Sequence, residues 1–348
     1  MASIVILGAG VMGSAIAVPA ASNGHHVRLV GTPIDVDAIT ALKRPGGMHP
    51  KLDSRLPPNV EPLLFEELRP AHFAQADAVI VGVSSRGLEW ATGVLSDYLA
   101  RPCPVAFVTK GLDVGGGGVK TYADTVPARI PKLSAFVGIG GPCIARELAN
   151  GWPTASVYAS ADRSASQGLI ALMQTDAYRL SSSNDAVGVE ACAALKNFYA
   201  IGVSAMQTRW PDPARPGGHA KNPLAATFNQ AARELAVLCE ALGGRRETAF
   251  DLAGMGDLHV TVGGGRNSRL GHGLGEGRRV SEVLGGALAG ETVEGADTAR
   301  ALGPWLRVRD GMDAGQLPLA HAIMDAVLDD KPFEFDFRAI GNRNSAPE

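Results

Sequence analysis

Apolar and polar positions along the chain fall into two textures. The first is a series of short β-rich runs divided by helical or loop segments: "SIVIL" at 3–7, "HVRLVG" at 26–31, "ADAVIVGVS" at 76–84, "PVAFVTKG" at 104–111 and "SAFVGIGG" at 134–141. Such alternation predicts an α/β fold built on a parallel, doubly wound sheet. "TASVYAS" at 154–160 and "AYRLSSS" at 177–183 predict further strands as an antiparallel extension. The second texture begins after Ser181-Ser182-Ser183-Asn184-Asp185, a cluster suited to a turn and helix cap. Alanine- and leucine-rich stretches at 186–206, 223–242 and 316–329 then predict long helices. The boundary is placed at Asp185, giving an α/β domain over 1–185, an all-α domain over 186–338 and a flexible polar tail over 339–348. The Pro/Gly-rich segment 209–223 and "GGALAGETVEG" at 285–295 predict irregular loops.

The opening stretch from Ser3 to Ala21 carries no charged residue. Its length is at the lower limit for crossing a bilayer, and no positive charge precedes it as an export signal would require. It also divides in two, because Gly8, Gly10 and Gly13 interrupt it between a strand-like and a helix-like half. The spacing G-x-G-x-x-G after a strand and opening a helix predicts a dinucleotide-binding turn. There the first glycine permits the turn, the second admits a pyrophosphate, and the third lets helix and strand pack closely. Backbone N–H groups at the helix start, around Val11 and Met12, then face the phosphates. The first domain is therefore read as Rossmann-type.

Composition narrows the partners. With 348 residues, 46% hydrophobic and 19% charged, the chain can bury a sizeable core, and a net charge of −3 excludes a broad nucleic-acid-binding surface. No integral membrane segment is expected. Cys103, Cys143, Cys192 and Cys239 lie far apart without C-x-x-C or zinc spacing, which reads as reduced thiols of a cytoplasmic protein with no metal site.

Candidate chemistry starts at "GVEACAALKNFYAIGVSAM", 188–206, where Lys196 is the one charged residue from Ala191 to Met206. An ammonium on so apolar a helix must snorkel, find a partner, or lose proton affinity through desolvation. Asn197 adjoins it, and Glu190 lies two turns before Asn197. Glu190 either orients that amide or is an exposed acid. The glycine-rich "DLAGMGDLHVTVGGGRNSRLGHGLGEG", 251–277, predicts a loop held close to something and offers Asp257, Thr261, Arg266 and Asn267. Arg266 suits a phosphate through its planar fork, or is part of a solvated basic turn. Lys110 follows a predicted central strand, at the edge where open α/β sheets bind ligands.

Six motifs in order, "GAGVMGSAIA", "KGL", "GPCIARELANG", "GVEACAALKNFYAI", "AGMGDLHVTVGGGRN" and "VEGADTA", resemble the NAD(P)-dependent glycerol-3-phosphate dehydrogenase family over about 3–330. The resemblance implies a Rossmann domain, a helical substrate domain, and reversible hydride transfer between the nicotinamide and C2 of the glycerol 3-phosphate/dihydroxyacetone phosphate pair, or of a close polyol phosphate. It implies Lys196 as proton donor or acceptor, with Lys110 and Asp257 beside the substrate. Gly141, Cys143, Asn197 and Thr261 are implied as substrate contacts, and Arg266 and Asn267 as phosphate or cofactor contacts. Gly8, Gly10, Val11, Met12, Gly13, Thr32, Lys110 and Ala145 are implied on the cofactor, with Glu294 on its nicotinamide side. A homodimer is implied as well.

The chain also departs from the family pattern. Cys143 replaces a hydroxyl with a weaker donor, and Asn229-Gln230-Ala231 replaces the usual Thr-Arg-Gly. Gly31-Thr32 after the second strand supplies neither an arginine for the NADP phosphate nor a ribose-binding acid, and Asp35 stands a few residues late for that role. The expected cofactor is NAD, with NADP left open. Two other readings remain: a β-hydroxyacid dehydrogenase with Arg266 on a carboxylate, and a nucleotide-binding protein without turnover.

Overall fold

The computed structural model describes residues 1–115, 118–212, 214 and 218–341. Eight strands form one sheet: β1 (Ser3–Leu7), β2 (His26–Val30), β3 (Val60–Leu63), β4 (Ala78–Val81), β5 (Cys103–Phe107), β8 (Leu133–Gly140), β9 (Thr154–Ala159) and β10 (Tyr178–Ser183). A separate antiparallel hairpin pairs β6 (Leu112–Gly115) with β7 (Gly118–Thr121). In the sheet the order is β10-β9-β8-β5-β4-β1-β2-β3, so the chain winds outward from β1 in both directions and reverses between β1 and β4. That is the Rossmann arrangement. β9 runs antiparallel to β8 as expected, while β10 returns parallel to β9. β3 and the hairpin gave no strand signal, because "VEPL" holds a proline and an acid and the hairpin is glycine-rich.

Both faces of the sheet are covered, which is why its strands read as unbroken apolar runs. Ile4 and Ile6 enter one core cluster with helix α1 (Val11–Ser22) and Tyr158. Val5 and Leu7 enter the other, with Phe73, Phe107 and helix α2 (Leu88–Tyr98). Met1–Lys110 and Tyr122–Glu190 make one compact unit, and Gly111–Thr121 with Ala191–Glu348 make the second.

The second unit is dominated by helices α3 (Ala186–Arg209), α4 (Lys221–Ala241), α5 (Asp257–Val262), α6 (Arg266–Gly275), α7 (Glu294–Leu306) and α8 (Pro318–Asp329). α3 begins where Asp185 accepts the Gly188 N–H at 2.9 Å. It is long and apolar enough to cross a membrane, yet 89% of its most apolar window is buried inside the protein. The segment expected to be a glycine-rich loop is mostly helical: a π-helical turn over Leu252–Gly256, then α5, a Gly263-Gly264-Gly265 turn and α6. Its close approach to something is real, and the partner is α3. A Cβ on Gly271 would lie 2.3 Å from the Ile201 carbonyl oxygen and one on Gly275 2.3 Å from that of Ala205, while on α7 one at Gly295 would lie 2.2 Å from that of Asn197. Residues 197, 201 and 205 repeat at four, so the missing side chains let two helices press on a single stripe of α3. The loop expected at 285–295 is irregular between Gly285 and Glu294, as read. Of the loop expected at 209–223, Pro211 and His219 form a bridge, while residue 213 and residues 215–217 lie outside the described residues. Most of the expected tail, 342–348, also lies outside them.

Candidate functional site

The glycine-rich turn of the first unit joins β1 to α1. A Cβ on Gly13 would strike the Gly8 carbonyl oxygen at 2.0 Å, and Gly8 itself adopts φ +106°. Gly10, the residue preceding α1, differs: nothing lies within 4 Å of the Cβ it lacks, and no side chain caps the helix there. Open space in front of uncapped N–H groups fits a pyrophosphate. Val11 and Met12 form the start of the helix, half-buried, and both pack on the core. The middle residue of the turn is pinned on both sides, with the Ala9 N–H donating to Asp35 Oδ2 at 3.2 Å and its carbonyl meeting His49 Nε2 at 3.0 Å. Thr32 donates its N–H (2.9 Å) and its hydroxyl (2.7 Å) to the same Asp35 oxygen. Sequence position alone sets Asp35 aside as too late for the ribose and assigns His49 no role. An acid opening a helix three residues after Thr32 was the available signal.

Elsewhere in this unit Lys110 follows β5 and Thr109, whose hydroxyl holds the Val83 carbonyl at 2.8 Å. Gly141 follows β8 at φ +135°, with the Ser156 Cα 2.9 Å from where its Cβ would be. Cys143 and Ala145 pack against the sheet core close behind. No disulfide joins the cysteines among the described residues. Glu190 is neither of the two things expected of it. It is 1% exposed, its carboxyl oxygens have no hydrogen-bond partner among the described residues, and Oε1 sits against Gly138. Burial pushes that carboxyl well above the ordinary glutamate range, against the opposing pull of the Lys110 charge.

In the second unit Lys196 is 6% exposed. Its Nζ donates to Asp257 Oδ1 at 2.9 Å and to Thr261 Oγ1 at 2.6 Å, and the Thr261 hydroxyl donates to the Asp257 carbonyl at 2.7 Å. Of the alternatives open to an ammonium on an apolar helix, α3 uses a partner: two buried charges offset each other's lost hydration. The π-helical turn before Asp257 presents that acid, since a widened turn re-aims the next residue. One position along α3, the Asn197 amide donates to Glu294 Oε2 at 2.9 Å and accepts from the Asn267 amide at 3.0 Å. Asn267 Oδ1 in turn accepts the Gly295 N–H at 2.8 Å. This chain of donors fixes both amide orientations and ties α3, α6 and α7 together. Arg266, at the first position of α6, is exposed and its guanidinium has no hydrogen-bond or ion-pair partner among the described residues.

The fold therefore assembles two clusters. One holds Gly8, Gly10, Gly13 and Thr32; the other holds Lys196, Asn197, Asp257, Thr261, Asn267 and Glu294, drawn from four helices and joined by hydrogen bonds that span up to 97 residues of chain. Residues 3–166 match the family model of the NAD-dependent glycerol-3-phosphate dehydrogenase N-terminus, and residues 185–335 match that of its C-terminus. The chain belongs to the glycerol-3-phosphate dehydrogenase family. It is 34% identical over 280 residues to the NADP(+)-dependent glycerol-3-phosphate dehydrogenase of Archaeoglobus fulgidus, covering 80% of this chain and 82% of the relative. It is 32% identical over 348 residues to the glycerol-3-phosphate dehydrogenase [NAD(P)+] of Halorhodospira halophila, covering 99% and 98%. The crystal structure of glycerol-3-phosphate dehydrogenase from Coxiella burnetii superposes with a TM-score of 0.78 at 25% identity over 97% of both chains. This family member is thus an NAD(P)-dependent oxidoreductase of CH–OH groups.

Proposed function

We propose that this protein interconverts dihydroxyacetone phosphate and glycerol 3-phosphate, with Lys196 as the general acid and base. The observation that carries the proposal is the buried Lys196 ammonium held by Asp257 Oδ1 at 2.9 Å and Thr261 Oγ1 at 2.6 Å. Two fixed acceptors aim a proton donor, and aim is what a transferring proton requires. In the reducing direction Lys196 gives its proton to the oxygen of the growing alkoxide; in the oxidising direction it takes the hydroxyl proton. A nicotinamide dinucleotide held by the glycine-rich turn would supply or accept the hydride. Asp257 balances the ammonium charge and Thr261 fixes its direction, while Asn197 holds the neighbouring turn of α3 in place through Glu294 and Asn267.

Arg266 is the phosphate-reading residue in this proposal. It is exposed, unpaired among the described residues, and stands at the start of a ten-residue helix whose first N–H groups favour an anion. Gly8, Gly10 and Gly13, with the N–H groups at the start of α1, would hold the pyrophosphate. Lys110, Gly141, Cys143 and Ala145 are proposed near the substrate and nicotinamide by the family resemblance.

The test is steady-state kinetics with dihydroxyacetone phosphate and NADH. Lys196→Ala is expected to lower kcat by about 10²- to 10⁴-fold, the range for a positioned acid or base. Because that change strands the Asp257 carboxylate, Lys196→Arg is measured beside it; it keeps the charge but surrenders no proton, so its kcat falls similarly while the fold is retained. Wild-type turnover by the arginine variant rejects the role of Lys196. No wild-type activity on either triose phosphate or glycerol 3-phosphate rejects the substrate.

A further inference from the structure

The relatives differ in the nicotinamide cofactor they are named for, so cofactor choice in this chain must be read from its own residues. After β2 the sequence runs Gly31-Thr32-Pro33-Ile34-Asp35, with no arginine. The backbone here turns back sharply. The Asp35 N–H donates to the Thr32 carbonyl at 2.9 Å, and a Cβ on Gly31 would lie 2.7 Å from Ile39 and 3.3 Å from the Asp35 Cβ. A larger residue at position 31 would hold the acid away. With glycine there, the carboxylate returns to the end of β2 and meets the glycine-rich turn at Ala9. An acid that stands too late in the sequence is therefore delivered on time by the turn.

Three donors, the Ala9 N–H, the Thr32 N–H and the Thr32 hydroxyl, all fall on Oδ2. Among the described residues Oδ1 has no partner and no cation pairs with the carboxylate. His49, which meets the same turn, spends both ring nitrogens on the backbone: its Nδ1 accepts the Lys51 N–H at 3.1 Å, which leaves Nε2 as the donor to the Ala9 carbonyl. One carboxylate oxygen is thus fixed by the protein, the other is available to a hydroxyl, and the negative charge is uncancelled. In a doubly wound sheet the adenosine ribose lies by the end of the second strand, next to the first turn.

We propose that Asp35 is the cofactor-selecting residue: Oδ1 accepts a hydroxyl of the adenosine ribose, and the charge repels a 2′-phosphate, so the chain prefers NAD over NADP. This rests on the dinucleotide binding described above, so the experiment reads binding, without turnover. Titration calorimetry with NADH and with NADPH on the unliganded protein should give NADH at least about tenfold tighter, the scale of one repelled phosphate at a half-exposed site. Raising salt should narrow the gap, because screening relieves repulsion; a 2′-phosphate held by attraction would widen it. Asp35→Asn should bind NADPH more tightly than the wild type and cut the ratio at least about fivefold. Equal wild-type affinities, a gap that widens with salt, or an Asp35→Asn that weakens both cofactors alike would overturn the proposal; the last result would leave Asp35 as a support of the turn only. Binding of neither cofactor would overturn the dinucleotide site itself. The salt series needs no variant and stands if Asp35→Asn does not fold.

Discussion

A methyl group at position 10 would meet nothing, whereas one at position 13 would sit 2.0 Å from a backbone oxygen. Two glycines of one motif therefore answer to different demands: Gly13 to the fold, Gly10 to what binds in front of it. Gly10→Ala is expected to leave the melting of the unliganded protein within about 0.5 kcal/mol of wild type. The same change should weaken NADH about ten- to hundredfold, equivalent to the 1–3 kcal/mol of a crowded methyl. Melting curves and calorimetric titration check both halves, and unchanged NADH affinity would contradict the pyrophosphate assignment. Much of this was legible in the residues, since strand, spacing and helix stood side by side. Glu190 was not legible: two helical turns suggest a link to Asn197, but the amide goes to Glu294 and the acid is buried against Gly138. Helical spacing gives the face a residue occupies and not what the fold packs onto that face.

At the scale of elements, α4 and α8 meet through a buried acid. Glu234 accepts the Leu319 and Ala320 N–H groups at 2.9 and 2.8 Å, the Gln230 amide at 2.9 Å and the Tyr199 hydroxyl at 3.3 Å. Gln230 belongs to the segment where the family pattern has arginine, and here it serves this cluster. Burial nevertheless pushes the Glu234 carboxyl from 4.5 up to about 7. Between these pH values the folded state keeps a proton that the unfolded chain has released. The contribution is therefore fully present at low pH and is lost as pH rises, by on the order of 3 kcal/mol in all. Thermal denaturation at pH 5 and pH 7 should show the wild type losing stability over this interval relative to Glu234→Gln, which has no proton to lose. A wild type that gains on the variant as pH rises would refute the account. The helices themselves were readable from their alanine and leucine runs. The glycine-rich segment was misread because glycine there serves close helix packing, and local propensity counts every glycine as a loop.

For the whole molecule, two compact units are joined in one chain, and the glycine-rich turn lies in the first. A ligand that binds only the folded state stabilises it by mass action, so NADH at a hundred times its Kd should add about 2.7 kcal/mol. Calorimetric melting with and without NADH tests this, and no shift at saturation would be incompatible with a preformed cradle. Leu112–Thr121 shows the limit of reading such units from texture: this hairpin lies within the first half of the chain but groups with the second unit.

The sequence by itself determined seven of the eight strands of the sheet, the glycine turn, the longest helices and the residue types available for proton transfer, because each is written in adjacent or periodic positions. Only tertiary structure decided which of those residues meet. Lys196 finds Asp257 across 61 residues, Asn197 finds Glu294 across 97, and Asp35 reaches Ala9 from 26 residues away. Pairings over such distances follow from how helices and strands pack, which no local pattern contains. The same holds for burial: an apolar helix marks Lys196 as unusual, but only its neighbours turn an isolated charge into an aimed one.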